Sequence, residues 1–99
     1  MKTYTMRRRA FWKTAEDLKR SAAISARVGN EEMADQVRWI RTYIVNEPDG
    51  TLGTVCVYQA VGPEVLVEHA RRVGMPAEDI VEVVDTAVIR ADPVAAQAA

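Results

Sequence analysis

The chain has 99 residues, 48% of them hydrophobic and 27% charged, with a formal net charge of −1. That length supports one compact domain with a single core and excludes two, and that balance excludes disorder as a global description. No run of about 18 apolar residues is present to span a membrane and the start lacks an apolar signal region, so a cytoplasmic location is expected.

The near-neutral total gives no electrostatic footprint for nucleic acid, and the single cysteine, Cys56, excludes an internal disulfide or a thiolate cluster. The charges are nevertheless uneven. Lys2, Arg7, Arg8, Arg9 and Lys13 lie in a stretch without acids, while Glu78, Asp79, Glu82, Asp85 and Asp92 face only Arg90 in the last part of the chain.

Lys2 to Arg8 alternates Thr3, Thr5 and Arg7 against Tyr4, Met6 and Arg8, and its β-branched and aromatic residues suit a strand. Thr14 can cap a following helix, with Asp17 three residues on as a weak form of the capping box. Ala15, Leu18, Ala22, Ser25 and Val28 form the buried stripe of that helix; small residues dominate it, so the helix is expected to sit close to whatever it covers. Gly29 and Asn30 signal its stop.

A second strand runs from about Val37 to Asn46, and Pro48, Asp49 and Gly50 make a turn. TLGTVCVYQA after it is rich in strand formers, so residues 37–60 read as a β-hairpin. Gly62 and Pro63 break that strand and open a second helix whose stripe is Leu66, Ala70 and Val73, with His69 at its edge. Gly74 closes the helix ahead of Pro76. DIVEVVDTAVI then reads as a last long strand, and residues 91–99 as a flexible tail on a domain of residues 1–90.

The order β-α-β-β-α-β is that of the ferredoxin-like α+β fold, a four-stranded antiparallel sheet with two helices on one face. Its first and last strands are antiparallel neighbours, which sets Arg7 to Arg9 beside Glu78, Asp79 and Glu82 and neutralises the charge asymmetry. In RWIRTYIV, alternation places Trp39, Arg41, Tyr43 and Val45 on one face. Both sheet faces are substantially apolar, whereas a solvated antiparallel face should alternate with polar residues. A second copy is therefore expected to pack sheet to sheet, giving a dimeric α+β barrel.

The stretches WIRTYIVNEPDG, TVCVYQA and PEVLVEHARRVGMPAEDIVEVV together resemble the small bacterial nickel-binding-protein-like family of otherwise unknown function. The likeness covers roughly residues 37–84, and TYTMRRR resembles the family's first strand more loosely. The resemblance implies a ferredoxin-like fold, a homodimer and, in some members, nickel held by side chains. In the family's pattern a glutamate stands at the position of Arg7 and a histidine at the position of Arg41, and neither guanidinium has a lone pair for a metal. His69 is the one imidazole of the chain, so the candidate metal set is His69, Glu68 and, across a dimer, Glu82.

Read from the residues, Arg7, Trp39, Arg41, Tyr43 and Tyr58 form the candidate ligand-binding set, with guanidinium for a carboxylate or phosphate and rings for the apolar part of a ligand. The competing structural reading is an interface in which Arg41 pairs with Glu82 or Asp85. Arg7, Arg8 and Arg9 followed by Phe11 and Trp12 have the form of a single-strand nucleic-acid patch, but the nearby acids favour a structural role. Cys56 reads as a small buried residue and not as a nucleophile paired with His69.

What results is a cytoplasmic homodimer that binds a small anionic or aromatic ligand at the sheet–sheet interface, with no nucleic-acid or membrane partner and no certain cofactor. The alternatives are a nickel or other divalent-metal-binding protein and a cofactor-independent enzyme of the dimeric α+β barrel type, the latter by analogy of fold.

Overall fold

Local chemistry sets each element boundary in the computed structural model, which describes residues 1–93. Strand β1 spans Lys2–Trp12. Helix α1 spans Ala15–Arg27 and opens on Thr14, whose Oγ1 accepts the Asp17 N–H at 3.1 Å, as the capping pattern requires. A π-helical turn, Val28–Glu32, continues α1 past the expected stop at Gly29 and buries Val28. Strands β2 (Val37–Asn46) and β3 (Leu52–Ala60) form the expected hairpin, turned by Gly50 in the left-handed region at φ 87°. Helix α2 spans Pro63–Val73 and ends on Gly74 at φ 84°, whose N–H reaches back to the Ala70 carbonyl at 2.9 Å.

Strand β4 is short, Glu78–Val83, and does not run on to Ile89. The register explains this. Val83 pairs with Thr3, and β1 begins at Lys2, so residues after Val83 have no ladder to join. Residues 84–92 instead leave the edge. Most of the tail expected after residue 90 lies outside the described residues.

All pairings are antiparallel and the strand order is β2-β3-β1-β4. The four-stranded sheet with two helices on one face is the ferredoxin-like arrangement expected from the sequence. Lys2, Arg7, Arg8 and Arg9 do not share one fate. Arg9 pairs with Asp79 at 2.7 Å and Lys2 with Glu82 at 3.4 Å, as the strand neighbours demand, whereas Arg7 turns to Glu47 at 2.9 Å.

The register also corrects the reading of RWIRTYIV. Trp39 pairs with Tyr58 and Arg41 with Val57, so Ile40 is an extra residue, a bulge. The alternation slips by one there. Trp39 stays on the helix-covered face beside Tyr58, while Arg41 and Tyr43 fall on the open face. Trp39, Arg41, Tyr43 and Tyr58 therefore do not share a face.

The core lies between the sheet and the helices: Tyr4, Met6, Cys56, Tyr58 and Ala60 from the strands, Leu66 from α2, and Val28, Met33 and Val37 around the π turn. At the other end of α1 the packing differs from expectation. The small side chains Ser21, Ala22 and Ser25 do not draw the helix down onto the sheet; a cavity of about 30 Å³ remains between them and β1, β2 and β3. Trp12, donating from Nε1 to Ser21 Oγ at 2.8 Å, and Trp39 border it.

Candidate functional site

The cavity under α1 is floored by Arg8, whose place on the helix-covered face follows from its alternation with Tyr4 and Met6. Arg8 is 1% exposed. Its Nε donates to the Pro76 carbonyl at 2.9 Å and its Nη1 to Cys56 Sγ at 3.5 Å, while Nη2 is buried without a partner. Among the described residues, no acidic side chain lines the cavity. A buried ion without a counter-charge costs several kcal/mol even after relaxation, so this guanidinium is the most expensive group in the core.

Polar atoms crowd around it. Cys56 Sγ accepts from the Thr42 hydroxyl at 3.3 Å and donates to the Thr54 hydroxyl at 3.4 Å, and His69 is not among its partners. The Ser25 hydroxyl is buried beside the Tyr58 phenol. Tyr58 stacks on Trp39 with ring centroids 6.3 Å apart. Burial pushes the Tyr58 phenol above its ordinary value of 10.0 and the Cys56 side chain adds to this, while the Arg8 charge and side-chain hydrogen bonds with Ser25 and Arg8 oppose them.

A second site lies on the opposite face of the sheet. Residues 84–92 cross from β4, at one edge, toward β2, at the other, where Asp92 meets the Arg41 guanidinium at 3.4 Å. The groove beneath has a volume of about 670 Å³ and is walled by Thr3, Thr5, Ile40, Tyr43 and Val57 of the sheet and by the crossing segment. Of the expected ligand-binding set, Arg41 and Tyr43 meet here and Trp39 and Tyr58 border the inner cavity instead.

Arg7 borders neither. Its guanidinium is spent on Glu47, whose other oxygen accepts the Ala10 N–H at 2.7 Å and so fixes the kink of β1, where Ala10 sits at φ 51°. The Arg7 hydrogen bond holds the Glu47 carboxyl below its ordinary value, against a smaller opposing effect of burial. Arg8, one residue on, was the functional candidate to read from the alternation: it is the charge that falls in line with Tyr4 and Met6.

The family described as nickel responsive protein SCO4226-like matches residues 4–83. The chain belongs to the SCO4226-like family. The crystal structure of SCO4226 from Streptomyces coelicolor A3(2) is similar in fold, with a TM-score of 0.68 at 17% sequence identity, over 86% of this chain and 99% of that one. No curated protein matches the sequence.

The SCO4226-like description makes nickel a question for the donor atoms. His69 is 1% exposed and its Nε2 lies 3.1 Å from the Ser25 carbonyl, which requires that nitrogen to carry the proton and leaves Nδ1 buried and unpartnered. Burial pushes the imidazole below 6.5, with the Ser25 hydrogen bond opposing and the charges of Arg8 and Arg72 assisting. Glu68 is gripped by Arg71 at 2.7 Å and Arg72 at 2.7 Å, and these hydrogen bonds hold its carboxyl down at about 2. Glu82 pairs with Lys2.

Among the described residues no three His, Cys, Asp or Glu side chains gather into a metal-binding group. One imidazole and a neighbouring residue's carboxylate already held by two arginines are not a nickel donor set. The described residues of this chain do not fit the metal. Among the described residues, no helix is long and apolar enough to cross a membrane.

Proposed function

We propose that the chain works as a homodimer that binds a small anionic or aromatic ligand in the groove on its open sheet face, with Arg41 as the anion anchor and Tyr43 as the ring contact. The observation that carries this reading is the apolar character of that face: Ile40, Tyr43 and Val81 are each between 46% and 56% exposed. A patch of this kind on a sheet with no helix over it is the usual mark of an interaction surface. A second subunit closes the groove from above and removes the patch from water.

Sedimentation at micromolar protein is expected to give twice the 11.0 kDa of one chain. Val81→Asp places a carboxylate on the open face and is expected to raise the dimer dissociation constant by at least about a hundredfold, roughly 2.7 kcal/mol, with the monomer fold intact by circular dichroism. A wild-type particle of 11.0 kDa would end the dimer reading. Benzoate is the probe for the groove: heat of binding that Arg41→Ala abolishes supports it, and heat unchanged in that variant removes it.

The family's nickel-responsive description favours a second reading, a nickel or other divalent-metal protein. The donor chemistry speaks against it, and calorimetric titration with nickel chloride is expected to give no heat of binding at micromolar protein. A stoichiometric isotherm lost in His69→Ala would reinstate it.

A further inference from the structure

We propose that residues 85–92 are a built-in competitor for the groove on the open sheet face: the Asp92 carboxylate occupies the Arg41 guanidinium until a small carboxylate ligand displaces it and frees the end of the segment. Its action rests on the groove being a ligand site, and it narrows that ligand to a carboxylate.

Three observations carry it. The first is occupancy. Arg41 Nη1 donates to Asp92 Oδ2 at 3.4 Å, and both residues line the groove. The anchor thus already holds a carboxylate supplied by the chain itself, and a ligand that takes its place must offer the same kind of group. The second is attachment. Among the described residues, no backbone hydrogen bond links residues 85–92 to the sheet, and the Asp92 carboxylate makes the side-chain hydrogen bond that does. Val88 and Ile89 are largely exposed, so the segment gains little from burial where it crosses. A segment end held by one contact opens when that contact is taken.

The third observation is strength. Both side chains of the pair are more than half exposed, and a separation of 3.4 Å between exposed partners makes a weak ion pair. A tight latch would shut the groove permanently, whereas a weak one lowers affinity by a small factor. The apparent dissociation constant is the intrinsic one divided by the fraction of molecules in which the anchor is free. About 670 Å³ lies beneath the segment, walled by Ile40, Tyr43 and Val57, and this accommodates a carboxylate carrying one ring or a short alkyl chain.

Benzoate is titrated by calorimetry into wild type, Asp92→Asn and Asp85→Asn at fixed ionic strength. Asp92→Asn is expected to lower the dissociation constant about two- to fivefold. Asp85→Asn removes the same charge from the same segment, but Asp85 accepts only from the Thr86 N–H, and its constant should stay at the wild-type value. A second readout needs no ligand. The nitrogen-15 heteronuclear Overhauser effect of the Ala91 amide is expected to fall in Arg41→Ala, and to fall in the wild type on saturation with benzoate. Arg41-dependent binding of equal strength in wild type and Asp92→Asn would overturn the competitor and leave the groove standing. An Ala91 amide as ordered in Arg41→Ala as in the wild type would overturn it too. Binding absent from both wild type and Asp92→Asn would end the groove reading and the competitor with it.

Discussion

Leu66→Ala is expected to lower the unfolding free energy by about 2–5 kcal/mol, the range for deleting a fully buried leucine side chain. Leu66 is 0% exposed and is the one α2 residue in the cluster that holds Tyr4, Met6, Tyr58 and Ala60 of the sheet and Val28, Met33 and Val37 around the π turn. The spread in such measurements reflects how far the surroundings can collapse into the gap. Here collapse is restricted, because the sheet side is fixed by ladder pairing and the opposite side by the π turn. The loss should fall in the upper half of the range.

A domain of this size has a total stability of about 5–15 kcal/mol, so the variant stands close to unfolding at ambient temperature. Val67→Ala, one residue on, is the control: Val67 is 52% exposed and its truncation should cost less than about 0.5 kcal/mol. Urea denaturation at one fixed protein concentration checks both, with an unchanged slope showing that the fold itself is retained. A Leu66→Ala loss no larger than that of Val67→Ala would mean that α2 is not seated on the sheet as described.

What could be read ahead of the structure is what depends on neighbours in sequence. The Thr14 cap, the Gly50 turn and the Gly74 stop each need one residue with one conformational property, and each is found where its residue type stands. Helix and strand periods then give the β-α-β-β-α-β order almost by counting. The bulge at Ile40 carries no such mark. Nothing in RWIRTYIV says that one residue is extra, and a period-2 reading carried across it assigns every later side chain to the wrong partner of Trp39. That single slip divided the expected site into two, with Arg41 and Tyr43 outside and Trp39 and Tyr58 inside.

The length of β4 was hidden for a different reason. VEVVDTAVI has strand composition throughout, but a strand exists only where a partner offers ladder bonds, and the partner is sixty residues or more away in sequence and ends at Lys2. The arginine run was legible in principle. Alternation lines Arg8 up with Tyr4 and Met6, and a charge in register with core residues is a buried charge in need of a partner. The three arginines met three different surroundings: Arg7 the Glu47 carboxylate, Arg8 the interior, Arg9 the acids of β4.

Lowering the pH from 7 to 5 is expected to destabilise the protein through His69. The imidazole is 1% exposed and is pushed below its ordinary value of 6.5 by burial, while in the unfolded chain it returns to 6.5. Between the two values the unfolded state binds a proton that the folded state refuses. Stability from this residue is therefore complete above pH 6.5 and is lost as the pH falls toward the folded value, with a slope of at most about 1.4 kcal/mol per pH unit. The carboxylates that gain partners on folding, Glu47, Asp49 and Glu68, are held below their ordinary 4.5 and 3.8 and lose their contributions at lower pH, so the window from 5 to 7 belongs to the imidazole.

His69→Gln isolates it, since the side-chain amide can donate toward the Ser25 carbonyl yet never titrates in this range. The difference in unfolding free energy between wild type and variant should be flat above pH 7.5 and fall steadily below 6.5, while the folded-state imidazole titrates below 6.5 by proton magnetic resonance. A difference that grows as the solution is acidified would show that folding favours the imidazolium, as a metal-free ligand histidine facing carboxylates would. Burial sets the sign, and the charges that face this ring, Arg8 and Arg72, are both positive and assist it.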